Sequence, residues 1–256
     1  MNLLISTRSE LLKTKRSAAF WLSIFGALFI PVIFFLMYYF KPAVFILQLQ
    51  PDPWLAHFLR GWQSLSAFLL PMFIILVCSL IPQIEYKNNA WKQVFASPQS
   101  LANIFFSKFI TIHLMILFCF LLFNIFMVLS AMAVNLVNED YPFFNHKINW
   151  QALLRLNFKT YISILGISAI QYWLSIRFKN FIVPIGIGLA LLITAMIIMR
   201  WEHIATVPYA HPLLTFFSAH KKHGPLLENH ELNSIGYFLV FTFLAFFDMK
   251  YRKERG

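Results

Sequence analysis

Charge is what this chain has least of. Only 12% of its 256 residues are Asp, Glu, Lys or Arg, against 59% hydrophobic, and a soluble domain with so few charges could not wet its surface. Acid is scarcer than base, with 10 Asp and Glu against 21 Lys and Arg. Cysteine is nearly absent: Cys78 and Cys119 both fall inside apolar runs with no neighbouring thiol or metal-ligand spacing, which excludes a disulfide framework and leaves buried thiols. Glycine is sparse too, and none of the eight is followed by Lys. A phosphate-cradling loop needs GxxxxGK, so the chain cannot hydrolyse ATP by that route. Long polar stretches are missing, and those present are too short to fold as independent domains.

What is present is length of apolar sequence. Six runs, at about 18–40, 62–84, 106–136, 159–177, 181–200 and 232–249, approach or exceed the roughly 20 residues a helix needs to cross hydrocarbon. The sequence therefore predicts an all-α integral membrane protein, residues 1–256 forming one transmembrane unit of six helices. The first run extends through Tyr38, Tyr39 and Phe40, longer than the apolar core of a cleavable signal and without its small-residue end, so it stays as the first span.

The net charge of +11 points to membrane orientation rather than to nucleic acid, because the basic residues sit at the ends of the apolar runs. With six spans, 13 of the 21 fall in the termini and alternate loops and 8 in the others. The positive-inside bias then puts both termini in the cytoplasm of a multi-pass plasma-membrane protein. Residues 1–16 carry Leu4, Ile5, Leu11 and Leu12 on one helical side, as for a helix lying on the inner leaflet. Tyr38, Tyr39, Phe40, Trp54 and Trp62, at span ends, read as headgroup anchors. Pro31 and Pro71 lie inside spans, where each removes a backbone donor and predicts a kink in its helix. Residues 177–180 form a tight hairpin between the fourth and fifth runs, and residues 203–219, with Pro208 and Pro212, read as an extracellular re-entrant or interfacial segment.

The loop after the second run is the most informative. At 100° per residue Ala90, Trp91, Val94 and Phe95 share one arc, while Glu85, Asn88, Asn89, Lys92 and Gln93 fill the opposite one. A short amphipathic helix parallel to the membrane follows, ending near Ser97 because Pro98 disfavours helical geometry before it. With Glu85, Tyr86, Lys87, Asn88, Asn89, Trp91, Pro98 and Lys108 in this order, the chain resembles the permease subunits of type 2 ABC transporters, the exporter family that includes lantibiotic immunity and gliding-associated permeases. IQYWLSIRFKNFIVPIGIGLALL is similar to that family's hairpin between spans four and five, and VPYAHP looks like its extracellular re-entrant region. The resemblance implies a cytoplasmic coupling helix that docks on a separate ABC ATPase subunit through Glu85, Tyr86, Asn88, Asn89, Trp91 and Lys92. It also implies a second permease subunit, identical or related, in the same bilayer, and the export of an amphipathic or hydrophobic substrate such as an antimicrobial peptide or drug. No cofactor, metal or nucleic acid is called for.

Polar residues inside the runs are few: His113, Asn124 and Gln171, which either hold helices together or line a translocation path. All ten acids lie outside the runs or at their ends, so no carboxylate is expected to be buried as a proton relay would need. The competing reading is a membrane enzyme with an extracellular metal site built from His203, His211, His220, His223, His230, Glu228 and Glu231. Two lysines between His220 and His223, and the helix-ending Gly224-Pro225, weigh against it, and no nucleophile, base and orienting group can be assembled.

Overall fold

The computed structural model describes residues 2–87, 91, 99–219 and 225–251. Among them there are helices and turns but no strand, as the bilayer requires of a chain whose backbone groups must be satisfied within each segment. Five stretches are long and apolar enough to cross a membrane: Ala18–Phe40, Pro53–Lys87, Leu101–Val137, Trp150–Arg177 and Asn229–Tyr251. The chain is thus a multi-pass membrane protein.

Helix α1 (Leu3–Thr14) precedes the first long helix, α2 (Ala18–Phe40), whose Ser17 cap accepts from the Phe20 amide. A short helix, α3 (Pro42–Gln48), leads to α4 (Pro53–Ser64), which has Asp52 as N-cap and runs through a single wide turn at Leu65–Leu69 into α5 (Leu70–Lys87). That wide turn lies directly before Pro71, whose missing N–H breaks the regular i→i−4 ladder there. Regular helical bonding is thus interrupted next to Pro71, whereas α2 continues as one helix over Pro31.

Helix α6 (Leu101–Val137) has 37 residues, about 55 Å at 1.5 Å per residue. It outreaches a hydrocarbon core of roughly 30 Å, as the long third run predicts. After it come α7 (Trp150–Ser163) and α8 (Leu165–Arg177), nearly continuous, then α9 (Ile182–Ile197) beyond a tight link in which Asn180 Oδ1 accepts from the Ile182 amide. Helix α9, expected to fill 181–200, has only 16 residues, about 24 Å, because the chain leaves helical geometry at Ile198. Two single turns at Ile204–Thr206 and Pro208–Ala210 lead into α10 (His211–Ala219), and α11 (Asn229–Tyr251) closes the described chain.

Helix α11 lies along α8, α2 along α6, and α5 along α8, with α9 against α5 and α1 across the start of α6. Lys87, Leu101, Arg177 and Asp248 fall at one end of this bundle, called basal below; Arg177 Nη1 is 3.0 Å from Asp248 Oδ1 there. Two sequence expectations are corrected at the opposite end. Trp54 and Trp62 are buried rather than set at headgroups, the Trp54 indole donating to the Phe143 and His146 carbonyls and Trp62 packing edge-on to Phe120 and Phe123. Tyr38 is buried too, hydrogen-bonded to His57 Nδ1 at 2.9 Å, whereas Tyr39 and Phe40 stay exposed. The physical reason for Tyr38 and Trp54 is the turn around Phe143, which folds over both rings, and for Trp62 it is α6, whose Phe120 and Phe123 cover it.

Candidate functional site

Helix α1 forms where expected, but its faces are used in an unexpected way. Leu4, Ile5 and Leu12 are exposed while Ser6, Thr7, Glu10 and Thr14 are buried against the start of α6. An amphipathic helix on a membrane turns its apolar side to lipid, and here the polar side carries a carboxylate into the protein. Glu10 Oε2 meets Lys108 Nζ at 2.7 Å and Glu10 Oε1 meets Lys13 Nζ at 2.6 Å.

Glu85, in the last turn of α5, completes a four-residue cluster. Its Oε1 is 2.6 Å from Lys108 Nζ and 3.1 Å from Lys13 Nζ. Lys108 is the hub: it is fully buried, takes both carboxylates, and stands 5.5 Å from the centre of the Trp91 ring. The Trp91 ring in turn lies 5.2 Å from that of Tyr86, whose hydroxyl donates to the Ile176 carbonyl at the end of α8. Burial alone would raise the Glu10 carboxyl, but Lys108 and then Lys13 outweigh it and hold the group below its ordinary value of 4.5. Burial likewise disfavours charge on Lys13, and Glu10 and Glu85 reverse that, raising it above 10.5. Glu10 and Lys13 are therefore charged at neutral pH.

The expectation that no carboxylate would be buried is thus overturned: Glu10, Glu85 and Glu231 all are. Each lies outside or at the end of an apolar run, as the sequence indicates, and is covered by the element that folds over that end. Of the residues expected to couple to an ATPase, Glu85 and Trp91 meet at Lys108 and Tyr86 packs on Trp91. Glu85, expected on the polar side facing the cytoplasm, is thus turned into the bundle by its ion pair. Asn88, Asn89, Lys92 and the helix expected through Ser97 lie outside the described residues. Glu10 was not singled out from the sequence. The available signal was Ser6, Thr7, Glu10 and Thr14 at helical spacing, the only acid in a basic prelude.

His113, Asn124 and Gln171 lie in three separate contacts. His113 Nδ1 is 3.0 Å from the Tyr161 hydroxyl, and Asn124 Nδ2 donates to Asn157 Oδ1 at 2.8 Å. Gln171 Nε2 donates to the Pro184 carbonyl at 2.7 Å, while its Oε1 accepts from the Tyr209 hydroxyl at 3.0 Å. Tyr209 thus carries the segment after α9 down to the middle of α8. His113 also borders a lateral groove of about 630 Å³ between α6 and α11.

At the end opposite the ion cluster, α10 brings His211 beside His230 with ring centres 6.1 Å apart. The Thr215 hydroxyl bridges His230 Nε2 at 2.9 Å and Glu231 Oε1 at 3.3 Å, and Lys159 Nζ lies 3.6 Å from Glu231 Oε2. His203 is exposed beside Glu202, and His220 and His223 lie outside the described residues. Among the described residues no three His, Cys, Asp or Glu side chains converge closely enough to hold a metal ion. Most buried polar groups here pair with one another, and His211 Nε2 bonds the Ala205 carbonyl, while His211 Nδ1 has no partner among the described residues.

A bundle of membrane-crossing helices with an ion-paired hub at one end defines a helical membrane component. Its sequence carries this further: residues 6–195 match the family model described as ABC-2 family transporter protein, and the chain belongs to that family. It is a permease component of an ABC transporter, and family membership implies association with an ABC ATPase subunit. Comparison with curated proteins and with solved structures gave no match.

Proposed function

We propose that this permease has six spans with both termini in the cytoplasm, and that residues 85–97 form the element on which the ATPase subunit docks. The single observation that supports the reading is the fastening of Glu85 and Trp91 to Lys108 on α6, with Tyr86 hydrogen-bonded to the end of α8. A push delivered at this segment reaches α1, α5, α6 and α8 together, because one buried ammonium and one tyrosine hydroxyl hold all four. Asn88, Asn89 and Lys92 supply the polar side that meets the ATPase. A second permease copy, identical or related, completes the translocation unit.

Helix α9 is the short fifth span, and the two turns at Ile204–Ala210 with α10 are the extracellular re-entrant segment, tied at depth by Tyr209. His113, Asn124 and Gln171 border the path: each joins two segments across the bundle by a hydrogen bond that must break when the helices part. The transported molecule is amphipathic or hydrophobic, of the class of antimicrobial peptides or drugs, and it moves outward.

The test is co-purification with the cognate ATPase. Lys92→Glu and Asn89→Asp should lower association while leaving membrane insertion intact, Trp91→Ala should loosen the segment through loss of a large buried ring, and His220→Gln should be silent. Loss of association with His220→Gln, together with normal association in the three coupling variants, would overturn the reading.

A further inference from the structure

The groove between α6 and α11 opens sideways, toward where lipid lies. Leu117, Leu239 and Phe243 on its rim are 45%, 62% and 63% exposed. Its lining is almost wholly apolar: of its three polar side chains, Tyr161 and His113 share a hydrogen bond at 3.0 Å, and the Thr242 hydroxyl is a single buried group without a partner among the described residues. A ligand that needed hydrogen bonds along its length would lose them here. A hydrocarbon chain would lose none. The volume of about 630 Å³ lies within the range of small-molecule sites, roughly 300–1,000 Å³.

Length and charge say which hydrocarbon chain fits. Along α6 the lining runs from Phe106 to Leu117, a rise of about 16 Å along the helix, which is about half of a hydrocarbon core of roughly 30 Å and therefore one leaflet. The groove starts at the basal end, where Phe106 stacks on Phe246. One turn beyond Phe246 stands Lys250, its ammonium 6.0 Å from the Phe247 ring and 5.4 Å from that of Tyr251. Phe247 in turn contacts Phe243 of the lining, ring centres 4.3 Å apart. An apolar slot one leaflet deep with a cation at its mouth matches an anionic lipid, tail and headgroup together.

We propose that this groove holds one acyl chain of an anionic phospholipid of the basal leaflet, with its phosphate at Lys250. The bound tail fills the space between α6 and α11, beside the ring contacts of Phe106 with Phe246 and of Phe109 with Phe238. Only the leaflet's name, cytoplasmic, rests on the orientation proposed above; the binding does not.

The experiment is native mass spectrometry of the full chain released from detergent micelles doped with phosphatidylglycerol or with phosphatidylcholine. Wild type should retain one lipid and prefer phosphatidylglycerol. Leu114→Trp, which fills the groove from a position already facing outward, should lose both lipids. Lys250→Gln should keep the tail but lower the preference for the anionic head about fivefold, the effect of one basic residue near a charged surface. Lys250 is exposed, so this variant folds even if the tryptophan variant does not. Retention of no lipid by wild type, lipid retention unchanged in Leu114→Trp, or a dimer that Leu114→Trp abolishes would each overturn the proposal, the last by placing a second copy in the groove. Because binding is read in detergent, its failure is independent of a failed orientation test.

Discussion

Lys108 Nζ stands 2.6 Å from Glu85 Oε1, and both side chains are at most 2% exposed. A buried ion pair is a weak source of stability, because desolvating two charges offsets most of their attraction. Glu85 Oε2, moreover, has no hydrogen-bond partner among the described residues. Such an arrangement contributes more to register than to stability. Lys108 accepts only the packing that delivers Glu10 from α1 and Glu85 from α5 to the same point on α6, and this fixes where the segment after Glu85 leaves the bundle.

Removing the hub should therefore be severe. Lys108→Met leaves Glu10 and Glu85 buried without their shared cation, and breaking a buried pair on one side costs about 3–5 kcal/mol. Thermal unfolding in detergent should show a large drop for Lys108→Met. Much of it should be recovered when Glu10→Met and Glu85→Met are added, since this replaces the three buried members and leaves only Lys13, 37% exposed and able to reach water, without its carboxylates. No recovery in the triple variant would mean that shape rather than charge governs the site.

The cluster also predicts how the seating of α1 depends on pH. Glu10 is held below 4.5 in the folded chain, so its contribution is complete above 4.5 and is lost as pH falls through the lowered value. Lys13 is held above 10.5, so its contribution is complete below 10.5 and is lost as pH rises through the raised value. Spin labels at Arg8 and Tyr251, both exposed, should report one narrow distance from pH about 5 to about 10, broadening on the acid side as α1 comes away. Broadening already near neutrality would contradict the assigned charge states.

The spans were legible because the bilayer imposes a length and forbids charge along it, and both conditions can be read from one window of sequence. Glu85, Tyr86, Trp91 and Lys108 were legible only by resemblance, which gives the order of residues but not their convergence. The link between Glu10 and Lys108, 98 positions apart, has no local signature, because it depends on the angle at which α1 lies across α6. Trp54 and Trp62 were misread for a related reason. An aromatic at a span end looks the same in sequence whether it meets headgroups, the turn around Phe143 as Trp54 does, or the rings of α6 as Trp62 does. The short α9 was read as a full span because hydropathy continues to Met199 although helical geometry ends at Ile198.

Gly188 gives a test of the contact between α9 and the centre of the bundle. A Cβ there would lie 2.6 Å from Gln171 Oε1 and 3.0 Å from both γ carbons of Ile75. Gly188→Ala must displace the oxygen that accepts from Tyr209, and overpacking of this kind costs about 1–3 kcal/mol. At Gly186, on the same helix, a Cβ meets nothing within 4 Å, and Gly186→Ala should match or exceed wild-type stability, since alanine favours the helix by about 1 kcal/mol. Equal melting temperatures for the two variants would place α9 further from α5 than described.

Orientation is the assignment on which the coupling reading depends, and it can be measured without substrate or ATPase. Both native thiols, Cys78 and Cys119, are buried, so an intact-cell experiment with an impermeant thiol reagent starts from a low background. Single cysteines replacing Asn89, after α5, and Asn229, at the start of α11, sit on opposite sides in the six-span arrangement. Asn229→Cys should label from outside intact cells, and Asn89→Cys only after the membrane is opened. The short α9 makes this decisive. If its 16 residues turned back without crossing, α8 and α11 would enter from different sides, although Arg177 and Asp248 hold their basal ends together. Labelling of both positions from outside would remove the cytoplasmic docking segment, and with it the mechanism.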